Sequence, residues 1–163
     1  MHSWGGFPGS SALEGYTQNV RHLVYMAAFV PAVGQRVIDI AEPAPPSAVK
    51  AVEESGTSVV TDPVYLFYHD IEPAAAQPLI DSLLPHALAS SMAPATAAAY
   101  QSVPSTYILC AQDRAISLGL QEKMVAAARA DGAKMETVLL NTSHTPWMVD
   151  PQGVLDVIKS AAS

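Results

Sequence analysis

The sequence has little of several residue types, and each shortage excludes a class of protein. It contains one cysteine, Cys110, so no disulfide can form within the chain, which is usual in a reducing compartment. Only 14% of the residues are charged, and eight Lys and Arg face fifteen Asp and Glu, for a net charge of −7. Because no run of basic residues is present, we expect neither nucleic-acid binding through a basic patch nor a polybasic membrane anchor.

Long hydrophobic runs are also missing. The longest, from Leu23 to Val33, is interrupted by Pro31 and is shorter than the roughly 20 apolar residues that span a bilayer. The first ten residues have neither the basic nor the apolar region of a secretory signal. We therefore expect a cytoplasmic protein. With 163 residues, half of them hydrophobic, the chain has the length and composition of one folded domain.

Three short apolar runs predict the strands of a parallel sheet. They cover residues 23–29, 107–111 and 135–140, and none alternates cleanly between apolar and polar residues. That pattern is typical of strands buried on both faces, as in parallel sheets. The sequence therefore predicts an α/β fold with a short parallel sheet of about three strands and flanking helices.

Two helices are predicted from their capping residues. Ser117 is a good N-cap for a helix that continues to about Ala130 and ends at Gly132. Asp150 followed by Pro151 predicts the start of a last helix. The expected buried residues are Leu120, Met124, Ala127 and Ala128 in the first helix and Val154, Leu155 and Ile158 in the second. Strands and helices that alternate in this way form right-handed crossover units.

The middle of the chain is rich in Pro, Ala and Ser and divides the sequence into three parts. Residues 1–42 hold the first strand, and residues 105–163 hold the last two strands and helices. Residues 43–104 are interpreted as a helical insertion, because Asp62-Pro63 and Glu72-Pro73 precede apolar clusters as helix starts do. The alternative is a proline-rich connector.

A serine near the start of the chain is a candidate nucleophile. The segment His2-Ser3-Trp4-Gly5-Gly6 matches the last part of the G-x-S-x-G turn, which exposes a serine between a strand and a helix. Small residues flank such a serine because the turn is tight. Met1 stands where the first glycine of the motif would be. The alternative interpretation is that Ser3 is the N-cap of the following helix and has no catalytic role.

An aspartate and a histidine follow the other two predicted strands. Asp113 comes directly after the second strand and His144 directly after the third, where open α/β sheets place their ligand sites. The order Ser3, Asp113, His144 is the order of an α/β-hydrolase triad. His144 would take the proton of Ser3, Asp113 would orient the imidazole, and the backbone N–H of Trp4 would stabilise the oxyanion. Asp113 could also be a turn residue, and His144 a solvated loop residue.

Other candidates are weaker. Four residues near Ser3 and His144 are expected to line a substrate pocket or to pack in the core: His2, Phe7, Trp147 and Met148. No metal or cofactor is predicted, since His69, Asp70, Glu72 and His86 lack metal-ligand spacing. Cys110 lies within a predicted strand and is interpreted as a small buried hydrophobic residue.

Taken together, residues 2–6, 23–29, 107–114 and 143–151 resemble the α/β-hydrolase superfamily. The resemblance is to the plant methylesterase and hydroxynitrile-lyase group and to fungal hydrolases of secondary metabolism, whose elbow also reads Met-His-Ser-aromatic-Gly-Gly. It implies that residues 43–104 form a cap over the acyl pocket. It also implies a small ester or other acyl compound as substrate, a serine esterase mechanism, and no cofactor.

The family carries further strands upstream of the elbow, together with a loop that supplies a second oxyanion donor. The resemblance therefore implies that this sequence is the C-terminal part of an N-terminally truncated hydrolase. The strand beginning at Leu23 would then have an unpaired edge, through which the chain could associate with itself. Two alternatives follow: an inactive remnant with an interaction role, and lyase chemistry on the same triad.

Overall fold

A computed structural model describes residues 1–163. It contains seven strands: β1 (His2–Ser3), β2 (Leu23–Ala28), β3 (Val49–Val52), β4 (Thr57–Val60), β5 (His86–Ala87), β6 (Ser105–Cys110) and β7 (Met135–Leu140). Four of them form one parallel sheet in the order β1-β2-β6-β7. The predicted α/β class and parallel sheet are confirmed. The fourth strand, β1, has only two residues and is too short for a hydrophobic pattern to indicate it.

The helices are α1 (Gly6–Ala12), α2 (Val37–Ile40), α3 (Pro73–Asp81), α4 (Leu88–Met92), α5 (Leu118–Ala130), α6 (Pro146–Val149) and α7 (Pro151–Ala162). A π-helix spans Val64–Tyr68, and single 3₁₀ turns span Thr17–Asn19, Glu53–Ser55 and Ala99–Gln101. No helix is both long enough and apolar enough to cross a membrane.

The parallel sheet buries both of its faces at β6. All six residues of this strand are buried, and successive side chains point to opposite faces. Tyr107 and Leu109 join the larger apolar cluster, with α1 and α5. Ile108 and Cys110 join the smaller one, with Val154 and Val157 of α7, and Cys110 is fully buried as predicted. The sheet thus lies between two helical layers.

The predicted helix ends are confirmed. The Ser117 hydroxyl accepts a hydrogen bond from the amide of Leu120, and the Asp150 carboxylate accepts one from Gly153. Helix α5 ends at Ala130 and is followed by Gly132, whose φ is +95°. Such a left-handed residue commonly follows a helix. Capping is readable from sequence because it involves residues that are close in the chain.

The prediction of which residues of α5 and α7 face the core is partly wrong. In α7, Val154 and Val157 are buried, whereas Leu155 and Ile158 are more than 40% exposed. Residue 155 lies about 100° around the helix from residue 154, outside the narrow stripe that faces the sheet. In α5, Leu120, Met124 and Ala128 are buried as expected but Ala127 is exposed.

The middle of the chain contains more than helices. The starts predicted at Asp62-Pro63 and Glu72-Pro73 lead into the π-helix and α3. In addition, β3, β4 and β5 form a three-stranded antiparallel sheet, which the sequence does not predict. These strands are two to four residues long, and their pairing reaches from residue 49 to residue 87. Local patterns do not indicate such strands.

The position of the open sheet edge also differs from the expectation. Residues 1–3 pair with β2, since the amide of Met26 donates to the carbonyl of Met1 and Ser3 aligns with Ala28. The strand that begins at Leu23 is therefore not an unpaired edge. The outer strands of the parallel sheet are β1 and β7. As an outer strand, β7 exposes residues 136–139, so it is not buried on both faces as predicted.

Candidate active site

Ser3 lies in a sharp turn between β1 and α1. Its φ is +51°, a left-handed conformation that costs a residue with a side chain roughly 1–2 kcal/mol. The two following glycines permit the turn, because a β-carbon at Gly5 would lie 2.8 Å from the His2 carbonyl oxygen. A β-carbon at Gly6 would lie 1.9 Å from the Phe29 carbonyl oxygen, which no side chain can occupy. The helix can therefore approach the sheet only with glycine here.

A bulge in β2 faces this turn. His2 aligns with Met26 and Ser3 with Ala28, so Ala27 is an extra residue between them. Ala27 has a φ of +39° and is fully buried. Bulges of this kind are frequent beside active sites, where they change the direction of the strand. Beyond the bulge, the amide of Phe29 donates to the Ser3 carbonyl at 3.1 Å and holds the serine backbone.

Asp113 lies just beyond the carboxyl end of β6, with its side chain completely buried. One carboxylate oxygen, Oδ1, accepts hydrogen bonds from the amides of Ala115 at 2.7 Å and Ile116 at 3.0 Å. The other oxygen, Oδ2, accepts from His144. The carboxylate is thus held in a fixed orientation, and its burial is compensated by three donors.

Gln121 of α5 is fully buried and forms hydrogen bonds to the end of β6 and to the loop that carries Asp113. Its amide oxygen accepts from the Cys110 amide at 2.9 Å. Its amide nitrogen donates to the carbonyls of Cys110 at 3.1 Å and Ile116 at 2.8 Å. Three backbone groups at the strand end and in the loop are therefore satisfied by one side chain.

His144 follows β7 and is 3% exposed. Its Nδ1–H donates to Asp113 Oδ2 at 2.8 Å. With the proton on Nδ1, the other ring nitrogen, Nε2, carries the lone pair that a general base needs. Nε2 forms no hydrogen bond within the protein. The sequence prediction that Asp113 and His144 are brought together agrees with this contact.

His2, the residue before Ser3, contacts the backbone and the ring of His144. Its Nε2–H donates to the His144 carbonyl at 2.8 Å, and the two ring centroids are 4.6 Å apart. Burial, together with the neighbouring His144 ring, lowers the pKa of His2 to about 4. His2 is therefore neutral near neutral pH and acts as a hydrogen-bond donor, not as a charge.

Ser3 is connected to His144 through His2 and not by a direct hydrogen bond. The Ser3 hydroxyl forms no hydrogen bond within the protein, and none joins it to His144 Nε2. Contacts between nucleophile and base are often long in the absence of substrate. The structure brings Asp113 and His144 into contact, and the residue that contacts His144 from the turn is His2, which precedes Ser3.

Trp4 offers two unused donors beside Ser3. Its backbone amide, the predicted oxyanion donor, forms no hydrogen bond to another backbone group. Its indole Nε1 is buried and has no partner, and the ring meets His86 of β5 edge-on at 5.4 Å. A groove of about 170 Å³ extends from Trp4 and Phe7 to residues 90–96.

The other predicted pocket residues lie in different surroundings. Phe7 is buried in the core against Phe29, at 6.0 Å between ring centroids, and also lines the groove beside Trp4. Trp147 of α6 is 38% exposed and meets the His2 ring edge-on at 4.6 Å. Met148 is exposed beside it. Their roles in binding stay a prediction.

Two residues of the middle segment reach the site and were missed from sequence. The Phe67 ring stacks on that of His144 at 5.2 Å, and the Asp70 carboxylate accepts from the amide of Ser143 at 2.7 Å. Asp70 is exposed and nevertheless makes this contact. It lies 73 residues from Ser143, so no local pattern indicates the pairing. No group of three or more His, Cys, Asp or Glu side chains is arranged to hold a metal ion.

Comparison with known proteins identifies relatives over nearly the whole chain. Residues 1–157 match the model of the alpha/beta hydrolase family. An alpha/beta hydrolase of Aspergillus novofumigatus is 30% identical over 172 aligned positions, which cover 99% of this chain and 68% of that protein. A probable hydrolase of a Phoma species is 28% identical with the same coverage.

Solved structures show the same fold. A pyrethroid hydrolase from Sphingobium faniae superimposes with a TM-score of 0.82 at 18% identity, covering 99% of this chain and 69% of that one. Polyneuridine aldehyde esterase superimposes with a TM-score of 0.75, also at 18% identity, and 70% of its chain is covered. The family match, the fungal relative and the shared fold agree, and the chain belongs to the alpha/beta hydrolase family.

Proposed function

We propose that this hydrolase cleaves small, fairly apolar carboxylic esters or related acyl compounds, with Ser3, His144 and Asp113 as its triad. The observation that carries the proposal is the buried hydrogen bond from His144 Nδ1–H to Asp113 Oδ2. It leaves Nε2 without a partner in an imidazole that contacts His2, the residue before the strained Ser3. The name of one structural relative, polyneuridine aldehyde esterase, supports an ester as substrate.

In the first half of the reaction, His144 Nε2 takes the proton from Ser3 Oγ while Oγ attacks the carbonyl carbon of the ester. The resulting oxyanion accepts a hydrogen bond from the free Trp4 amide, which the positive end of α1 reinforces. The intermediate collapses, the ester C–O bond breaks, and His144 returns the proton to the departing alkoxide. An acyl-Ser3 and an alcohol are the products of this step.

In the second half, a water molecule attacks the acyl carbon and gives its proton to His144. The bond between Ser3 Oγ and the acyl carbon breaks, Oγ regains the proton from His144, and a carboxylic acid leaves. Asp113 stabilises the imidazolium in both halves without taking a proton. The groove of about 170 Å³ beside Trp4 and Phe7 has room for a small apolar group of the substrate.

A fluorophosphonate probe tests the nucleophile directly, because an activated serine displaces its fluoride and becomes covalently labelled. We expect labelling of the wild-type chain and none of Ser3→Ala, as seen by intact-mass spectrometry. Ser102→Ala, an exposed serine outside the site, is the matched control and should label like wild type. Labelling of folded Ser3→Ala at the wild-type rate would contradict Ser3 as nucleophile.

Turnover assays separate hydrolysis from the alternatives. Release of an acid and an alcohol from short acyl esters, lost in Ser3→Ala, is the expected result. Cyanide release from a cyanohydrin without ester turnover would replace the proposal with lyase chemistry. A folded sample that neither labels nor turns over would indicate an inactive chain.

A further inference from the structure

The strongest unexplained feature is the segment of residues 64–70, which contacts both loops of the proposed acid–histidine pair. It consists of the π-helix and the two residues after Tyr68. Leu66 and Tyr68 anchor it, since each is less than 8% exposed. Most of the neighbouring insertion is exposed, so these contacts are not a consequence of general burial. π-Helices occur frequently at functional sites.

The histidine loop is attached to this segment on both sides of His144. The amide of Ser143 donates to Asp70 Oδ2 at 2.7 Å, and its hydroxyl donates to the Phe67 carbonyl at 2.9 Å. The Thr145 hydroxyl donates to the same carbonyl at 3.3 Å. A carbonyl near the end of a helix lacks an intrahelical partner, and here two hydroxyls of the loop satisfy it.

The imidazole itself is covered by this segment. The Phe67 ring stacks on the His144 ring with 28° between the planes and 5.2 Å between centroids. His2 contacts the same imidazole with its own ring, tilted by 52°. Rotation of the ring about its χ angles would break the Phe67 stacking and the bond to Asp113 together.

The segment also contacts the loop that carries Asp113. The Arg114 guanidinium lies 4.9 Å from the centre of the Tyr65 ring, a cation–π contact beside Asp113. One short segment therefore touches the residue after the acid and the residues on either side of the histidine. Few other parts of the chain between residues 43 and 92 are buried.

We infer that residues 64–70 position His144 for proton transfer, with Asp70 and Phe67 as the positioning residues. This role rests on the proposed function of His144 as general base. Asp70 acts through the backbone of Ser143, and Phe67 acts through the face of the imidazole. Neither is expected to touch the reacting atoms, so their loss should lower kcat and leave KM nearly unchanged.

The test uses the 163-residue chain and its variants Asp70→Ala, Asp70→Asn and Phe67→Leu. Asp81→Ala is the matched control, because Asp81 is also an exposed carboxylate of the insertion but bonds only to Gln77. In Asp70→Ala, kcat should fall about 10- to 100-fold, the range expected for a misplaced catalytic group. KM should change less than twofold. Asp70→Asn should restore most of kcat, because its amide oxygen can still accept from Ser143.

A second readout needs no substrate. The His144 Nδ1 proton, held by Asp113, should give a downfield NMR signal in the wild-type chain and in Asp81→Ala. It should broaden or disappear in Asp70→Ala and in Phe67→Leu, because both variants allow the imidazole to move away from Asp113. Unchanged His144 signals and kcat in Asp70→Ala and Phe67→Leu would overturn the positioning role.

The two readouts also separate this inference from the proposed function. If wild type lacks ester turnover, the NMR comparison still decides whether residues 64–70 hold the imidazole. If Asp70→Ala loses its native circular dichroism, Phe67→Leu decides instead. A broadened or lost His144 Nδ1 signal in folded Phe67→Leu supports the inference, and an unaltered signal in that variant rejects it.

Discussion

The two parts of the chain that meet at His144 are held in different ways. In the parallel sheet, β6 is buried along its whole length and the acid loop is bonded to the buried side chain of Gln121. Between residues 43 and 92, only Ala48, Leu66, Tyr68 and Ala76 are buried. The sheet is thus stabilised by apolar burial, and this stretch by local hydrogen bonds and a few contacts. From this difference we infer that the sheet holds Asp113 and His144 and that residues 64–70 adjust the position of His144 in the proposed site.

The largest expected effect comes from Asp113→Asn, just beyond the buried strand β6. The amides of Ala115 and Ile116 already occupy Oδ1, so the asparagine oxygen will remain there. Its NH₂ group will then face His144 Nδ1 and force the proton onto Nε2, which can no longer accept from Ser3.

We expect kcat to fall about 10⁴-fold, as for the equivalent change in other triads, with the fold retained. Steady-state kinetics and circular dichroism check both parts. A loss of less than about tenfold would show that Asp113 does not set the tautomer.

Two leucine substitutions compare how much packing stabilises the sheet region and the stretch of residues 43–92. Leu120→Ala removes a side chain that is 6% exposed in the larger core cluster, and should cost about 2–5 kcal/mol of unfolding free energy. Leu84→Ala, in a position that is 86% exposed, should change it by less than about 0.5 kcal/mol. Urea unfolding of both variants gives the comparison. Similar losses would mean that the stretch is packed as tightly as the sheet.

The third prediction concerns the pH dependence of stability at His2. Its pKa is about 4 in the folded chain and 6.5 when unperturbed, so the unfolded chain binds the proton first as pH falls. The contribution of His2 to stability is therefore full above pH 6.5 and is lost as pH falls to about 4. The loss is about 3 kcal/mol.

His2→Gln keeps a donor for the His144 carbonyl but does not titrate. The difference in unfolding free energy between wild type and this variant should shift in favour of the variant between pH 6.5 and 4. A difference that is constant over this interval would contradict the burial of His2.

The smallest effect is expected at Cys110, which tests whether β6 opens in the native state. Burial raises the pKa of its thiol to about 11. The native chain should therefore fail to react with a disulfide reagent such as DTNB at pH 8, and it should react fully in denaturant. Absorbance of the released thiolate measures this. Reaction of the native chain within minutes would place the strand in a mobile part of the fold.

The features that were predictable from sequence depend on neighbouring residues. Ser117, Gly132 and Asp150-Pro151 mark helix ends because capping involves residues within a few positions of each other. The proximity of Asp113 and His144 follows from one general rule, that the carboxyl ends of parallel strands meet at one edge.

The features that were missed depend on distant partners. Whether Leu155 or Val157 of α7 faces the sheet is decided by where the sheet lies, and helical spacing permits both. The strands β3 to β5 exist because of their mutual pairing, and their sequences carry little alternation. The contact between Asp70 and Ser143 requires the insertion to fold back on the histidine loop, which no spacing in the chain encodes.

The three hydrogen bonds of Gln121 have a consequence for protein engineering. A designer who replaces residues 111–117 with a loop from another enzyme would lose or move the Ile116 carbonyl, one of the three backbone groups that bond to Gln121. An insertion or deletion that displaces this carbonyl would break one of the buried hydrogen bonds of Gln121. A successful transplant must therefore include the first turns of α5 as well, so that the acid and its support are moved as one unit.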